Sequence, residues 1–217
     1  MKALMRTSVV LCAAALSALS IQGVERTCQP FDEAVRRPDF FTFRAQLQTA
    51  VARRDAKAVL AIVDPKIRFS FGPDGGIDMF VRKWRIDEVD SELWSELGEV
   101  LALGGRFEGG VDTFVAPYTF KCEAEGFEEL IVVGSKVRAR AKPSAEAAIV
   151  GTLSFSIVGV PKTQAGQGTG DAWKEVVLGD GRRAFIASRY IRSPIDYRAY
   201  FVNTGGRWLM SAFVAGD

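Results

Sequence analysis

Five carboxylates in the first half of the chain, Asp64, Asp74, Asp78, Glu92 and Glu96, are the candidates for acid–base chemistry. Paired carboxylates can divide the acid and base roles when burial pushes their pKa values apart. Their positions argue for plainer work. Asp64 stands before Pro65 and Asp74 lies inside the turn 72–76, both ordinary places for an aspartate. Glu92 and Glu96 are four residues apart, off the apolar stripe of their segment, and are expected to face water. The chain has no histidine, which excludes Ser-His-Asp and Cys-His catalysis and every His-containing zinc or iron site. Its three cysteines are too few for an all-cysteine zinc site or an iron–sulfur cluster. No catalytic residue, metal ligand or cofactor is therefore assigned. Trp84 and Trp94 could form a sugar-stacking platform, but core packing is their expected role.

The elements that would position such residues begin with a targeting segment. Residues 1–20 carry Lys2 and Arg6, then an uncharged run rich in Val, Leu and Ala, with Ala18 and Ser20 placed for cleavage after position 20. This is the three-part pattern of a secretory signal peptide, too short for a comfortable membrane span. An uncleaved anchor is the alternative. Cys12, preceded by Leu11 and early in the run, does not fit a lipoprotein signal. Cleavage removes Lys2 and Arg6, so 28 basic residues become 26 against 26 acidic ones. A formally neutral chain with interspersed charges has no strong attraction for nucleic acid or anionic lipid. Arg36–Arg37 and Arg53–Arg54 read as solvated faces. The expected location is periplasmic or secreted, with no stable membrane span after cleavage.

Two cysteines then remain, Cys28 and Cys122, in a compartment that permits disulfides. A Cys28–Cys122 disulfide is expected, with free thiols or an intermolecular bridge as the alternative. Pairing would bring their Cα atoms within about 7 Å. They are not arranged as a redox Cys-x-x-Cys motif.

Residues 21–38 form an N-terminal arm. From 39 to 128 the period is mainly helical. Asp39 is placed to cap a helix carrying Phe40, Phe43, Leu47, Ala50 and Val51. Asp55 can cap a second helix carrying Val59, Leu60 and Val63, which should stop at Asp64-Pro65. Ile67, Phe69 and Phe71 alternate as a half-buried strand. After the turn at 72–76, Ile77, Phe80, Val81 and Trp84 return to helical spacing. A further helix carries Leu93, Leu97, Val100 and Leu101 and ends at Gly104-Gly105.

From 129 to 194 short β-rich runs replace that period: 130–133, 137–141, 149–153, 157–160, 173–178 and 183–187, separated by Pro, Gly and Ser. The segment 162–172, with Gly166, Gly168 and Gly170, reads as a long loop; it lacks the GK[ST] ending and helix of a phosphate-binding loop. In this region Val137, Arg138, Arg140, Pro143-Ser144, Val150-Gly151, Leu153, Trp173, Val176, Asp180-Gly181 and Tyr190-Ile191 follow one another in a recognisable order. The region resembles the bacterial SH3-like domain family in these motifs. Ser156 replaces a common glycine, and Ala184-Phe185 replaces a Gly-Trp pair. The resemblance implies a small β-barrel, a binding scaffold often attached to envelope proteins, and no catalytic residues.

Residues 195–217 contain two further apolar runs around the turn 203–206. Such a hairpin is marginal alone and is expected to return to the N-terminal domain, with Trp208 or Phe213 touching the first-half helices. Helices followed by this tail also resemble the nuclear-transport-factor-2-like fold. The expected fold class is thus α+β: a mainly helical N-terminal domain (39–128) completed by a C-terminal hairpin (195–217), with an SH3-like barrel (129–194) inserted. The functional expectation is an exported, non-enzymatic envelope protein binding a peptide, glycan or protein, and no nucleic acid. Its candidate binding residues are Arg138, Arg140, Trp173, Phe185 and Tyr190, whose plainer alternatives are core aromatics and solvated arginines. The rival is an envelope enzyme with a carboxylate site in the N-terminal domain. A secretion or stress accessory factor acting by protein contacts is a third reading.

Overall fold

Pro38 opens the first helix, α1 (Pro38–Ala52), at a position where its missing N–H costs nothing. Asp39 therefore sits inside the first turn rather than at the cap. Its carboxylate accepts hydrogen bonds from Arg37 at 2.9 Å and from Trp208 Nε1 at 3.0 Å. Asp55 does cap α2 (Ala56–Leu60), accepting from the Ala58 N–H at 3.0 Å. That helix ends before Asp64-Pro65, which lies instead within strand β1 (Val63–Arg68). The residue before proline avoids the helical region and suits an extended strand equally well, and β1 is an edge strand, where proline is tolerated. Two amphipathic helices follow, α3 (Ile77–Trp84) and α4 (Leu93–Ala102). Gly104 ends the second with φ 66°; a Cβ there would lie 2.8 Å from the Phe31 carbonyl oxygen, so only glycine fits.

Next come β2 (Arg106–Phe107) and β3 (Thr113–Ala116). A second group of strands comprises β4 (Glu129–Val132), β5 (Val137–Arg140), β6 (Ile149–Leu153), β7 (Ile157–Gly159), β8 (Trp173–Val177), β9 (Arg183–Ala187) and β10 (Ile191–Arg192). The tail supplies β11 (Arg198–Thr204) and β12 (Arg207–Val214). The structure is a computed structural model that describes residues 25–72, 75–162 and 172–216. The segment 1–20, Asp74, and Gly166, Gly168 and Gly170 lie outside the described residues.

The strands form two sheets. One has the order β1-β12-β11-β3-β2, the other β10-β4-β7-β8-β9-β5-β6. The first sheet overturns the expected mainly helical N-terminal domain and with it the α+β balance assigned from sequence. The chain is mostly β, and its helices cover a five-stranded sheet. The tail hairpin forms the middle of that sheet: β12 runs parallel to β1 and β11 antiparallel to β3. In this sheet the strand expected at Ile67, Phe69 and Phe71 lies earlier, at Val63–Arg68, and two strands were missed: β2, two residues long, and β3, a four-residue run between Gly109-Gly110 and Pro117 too short to display a period.

Helices and sheet meet in an aromatic core. The Phe40 ring of α1 lies 4.3 Å from Phe114, 4.7 Å from Trp208, 5.6 Å from Phe107 and 5.9 Å from Phe201, measured between centroids. Phe213 meets Trp84 of α3 at 5.2 Å. Both tail aromatics thus touch first-half helices. The second sheet encloses a different, aliphatic core of Val132, Val137, Ala139, Val158, Val176, Leu178, Ala184 and Ile186. Between the two, Cys28 and Cys122 lie at disulfide distance, with Cα atoms 5.6 Å apart, beside buried Tyr118 and Ile131. The arm leading to Cys28 runs along the second sheet: Cys28 N–H donates to Phe155 O and Ile157 N–H to Arg26 O, each at 2.7 Å.

Candidate functional site

The period-2 alternation of β5 sends Val137 and Ala139 into the aliphatic core and Arg138 and Arg140 to the opposite face. The same rule places Ala184 and Ile186 of β9 inside and Phe185 and Ala187 outside. Register aligns these outer residues across strands, with Arg140 opposite Phe185 and Trp173 opposite Ala187. Tyr190 follows in the short turn after β9. The aromatics Trp173, Phe185 and Tyr190 therefore belong to none of the buried clusters. Small Ala and Val side chains fill that core and leave the rings on its outer surface.

Four of the five candidates converge on one groove of about 380 Å³, lined by Arg138, Arg140, Trp173 and Tyr190 together with Lys136 and Arg189. Phe185 shares the strand face but lies outside the lining. Lys136 is held in the left-handed region, φ 53°, at the turn between β4 and β5, where its N–H donates to Ser154 Oγ at 2.8 Å. Arg140 donates to the Ala147 carbonyl at 2.6 Å. The Arg189 guanidinium lies 4.8 Å from the Tyr190 ring centroid, a cation–π pair. Sequence reasoning missed Lys136 and Arg189, though each adjoins a motif residue: Lys136 precedes the V-R-A-R strand and Arg189 precedes Tyr190.

Among the described residues, ion pairs leave the charge of this groove uncompensated. Elsewhere cations find carboxylates: Arg37 with Asp39 and Asp112, Arg44 with Asp32, Arg85 with Glu88, Arg182 with Asp180. Among the described residues no carboxylate lies within ion-pair distance of Lys136, Arg138, Arg140 or Arg189. Glu146 feels the Arg140 charge, but the Ser144 hydroxyl is the main cause holding its carboxyl below the usual range.

The carboxylate candidates do not assemble. Asp64 accepts from its own neighbour, the Lys66 N–H, at 2.7 Å. Asp78 is exposed in the first turn of α3, and Glu92 is exposed just before α4. Trp84 and Trp94 are core residues, 5% and 7% exposed, and form no open platform. Among the described residues no group of His, Cys, Asp and Glu is arranged to hold a metal ion. No helix of the described residues is long and apolar enough to cross a membrane.

Glu96 alone differs from its expected place. It is half-buried in a cleft of about 540 Å³ between α4 and the second sheet, with Glu99, Arg192 and Asp196. Burial pushes its carboxyl up; Arg192 opposes this, while Glu99, Asp196 and Glu92 add to it. A carboxyl raised on folding favours the protonated chain. Its contribution is therefore full below the ordinary glutamate range and is lost as pH rises through the raised value. Glu96→Gln should gain stability relative to the wild type as pH rises from 4 to 7, seen as a growing difference in thermal midpoint. A constant difference would contradict that placement.

Comparison with protein families, curated proteins and solved structures found no match to this chain.

Proposed function

We propose that this is an exported, non-enzymatic envelope protein whose second, SH3-like unit binds a peptide, glycan or protein partner through the groove at Arg138, Arg140, Trp173 and Tyr190. The observation that carries the reading is the convergence of these side chains, with Lys136 and Arg189, outside an aliphatic core that does not need them. Arginines and aromatic surface left outside the core are features of a binding face. Export to the periplasm or medium rests on the pattern of residues 1–20 and on a cysteine pair suited to an oxidising compartment.

The test is retention of the purified protein on cell-wall material and envelope extract, beside the variant R138E/R189E. Both arginines are exposed and among the described residues neither carries an ion pair, so the variant should fold. Retention by the wild type and its loss in the variant supports the reading. Equal retention of the two, or none above background, ends it.

One observation favours an enzyme instead: Glu96, raised by burial, lines a cleft with Glu99 and Asp196. In that reading Glu96 and a neighbouring carboxylate divide the acid and base roles. Turnover of wall-derived substrate that disappears in E96Q would establish it.

A further inference from the structure

The groove of the second unit contains donors but few acceptors. Its side chains supply the cations of Lys136, Arg138, Arg140 and Arg189, the indole of Trp173, and the hydroxyls of Ser135 and Tyr190. Among the described residues no Asn, Gln, Asp or Glu lines it. A neutral sugar presents hydroxyls that need acceptors as well as donors, and sugar sites meet that need with amides and carboxylates. This lining does not. It suits a ligand that brings acceptors only, in ionised form. Guanidinium forks pair with carboxylates in two parallel hydrogen bonds.

The apolar part of the wall narrows the ligand further. Ala145, Ala172, Trp173 and Ala187 form a surface among the cations. One face of Tyr190 is already engaged by Arg189, so the groove is not an open stack of aromatic faces for successive sugars or bases. An apolar side chain fits such a surface while flanking carboxylates reach the cations. The groove volume, about 380 Å³, suits a short segment rather than a folded face.

Resting on the binding reading above, we infer that the groove takes an acidic peptide segment of a partner protein, with one apolar anchor residue flanked by carboxylates. The anchor lies against Trp173, Ala172 and Ala187, and the carboxylates pair with Arg138, Arg140, Arg189 and Lys136. Binding is salt-sensitive because the cations are at the surface.

The experiment measures binding of fluorescein-labelled Glu-Glu-Phe-Glu-Glu to the full chain by fluorescence anisotropy. Its companions are Gln-Gln-Phe-Gln-Gln, Glu-Glu-Ala-Glu-Glu, an oligogalacturonate of matching charge and an oligothymidylate. The acidic Phe peptide should bind best, and R138E/R189E should weaken it by about tenfold or more, since like charges oppose the ligand. R138A, a milder change at an exposed position, should weaken it less but in the same direction. The Gln peptide should not bind, and the Ala peptide should bind more weakly. Equal binding of the Gln or Ala peptide overturns the inference, as does tighter binding of the oligogalacturonate or oligothymidylate. Failure of the peptide, with envelope retention still dependent on Arg138 and Arg189, overturns the peptide assignment and leaves the binding reading standing. Loss of both ends both.

Discussion

Phe40→Ala should destabilise the first unit by about 3–5 kcal/mol, the range for deleting a buried phenylalanine. Phe40 is fully buried and meets rings from α1 itself and from β2, β3, β11 and β12. It therefore joins the helical layer to strands that come from the middle and from the C-terminal end of the sequence. The tight packing around it restricts collapse into the space left behind, which places the cost toward the upper part of that range. Chemical denaturation should show a lower midpoint with little change in slope. Phe41, its neighbour, is 46% exposed, and Phe41→Ala should cost far less. Similar losses at the two positions would mean that α1 does not present Phe40 to the sheet.

Breaking the cysteine pair should have the second large effect. Cys28 and Cys122 are 94 residues apart in sequence. A bond closing a loop of that size contributes about 4–5 kcal/mol on the chain-entropy argument. The pair also holds the arm that lies along Phe155 and Ile157 to the segment from which the second unit departs. Reduction, or the double variant C28S/C122S, should lower the thermal midpoint. The accompanying change in proteolysis should begin in the arm, whose backbone bonds to the second sheet are few. An unchanged midpoint on reduction would show that the two thiols are not bonded or that the bond is structurally idle.

Sequence pattern located some parts of this molecule and not others, for identifiable reasons. The runs at 149–153 and 183–187 coincide with β6 and β9 because turn residues bound them closely. Asp55 and Gly104 punctuate helices through local chemistry that one residue carries by itself. The five-stranded sheet was less visible. Its neighbours β1 and β12 are far apart in sequence, and their parallel pairing leaves no hairpin signature. Asp64-Pro65 was ambiguous for a physical reason: the restriction that ends a helix also favours a strand. At the groove, the V-R-A-R alternation fixed which side Arg138 and Arg140 face. Lys136 and Arg189 escaped notice because they sit in turns, where no period marks a direction. Glu96 was expected in water because the stripe of α4 points elsewhere; the second unit, packed beside that helix, covers it.

The proposed binding face is the groove between Lys136 and Tyr190. A photocrosslinking phenylalanine derivative at position 190 tests it most directly, since Tyr190 is 37% exposed at the groove. Position 89 is the control, because Val89 is 86% exposed and lies outside the groove lining. Irradiated in envelope extract, the protein labelled at 190 should give a discrete adduct that R138E abolishes, and the protein labelled at 89 should give none. Adducts from position 89 alone, or adducts from 190 that R138E leaves unchanged, would contradict the account.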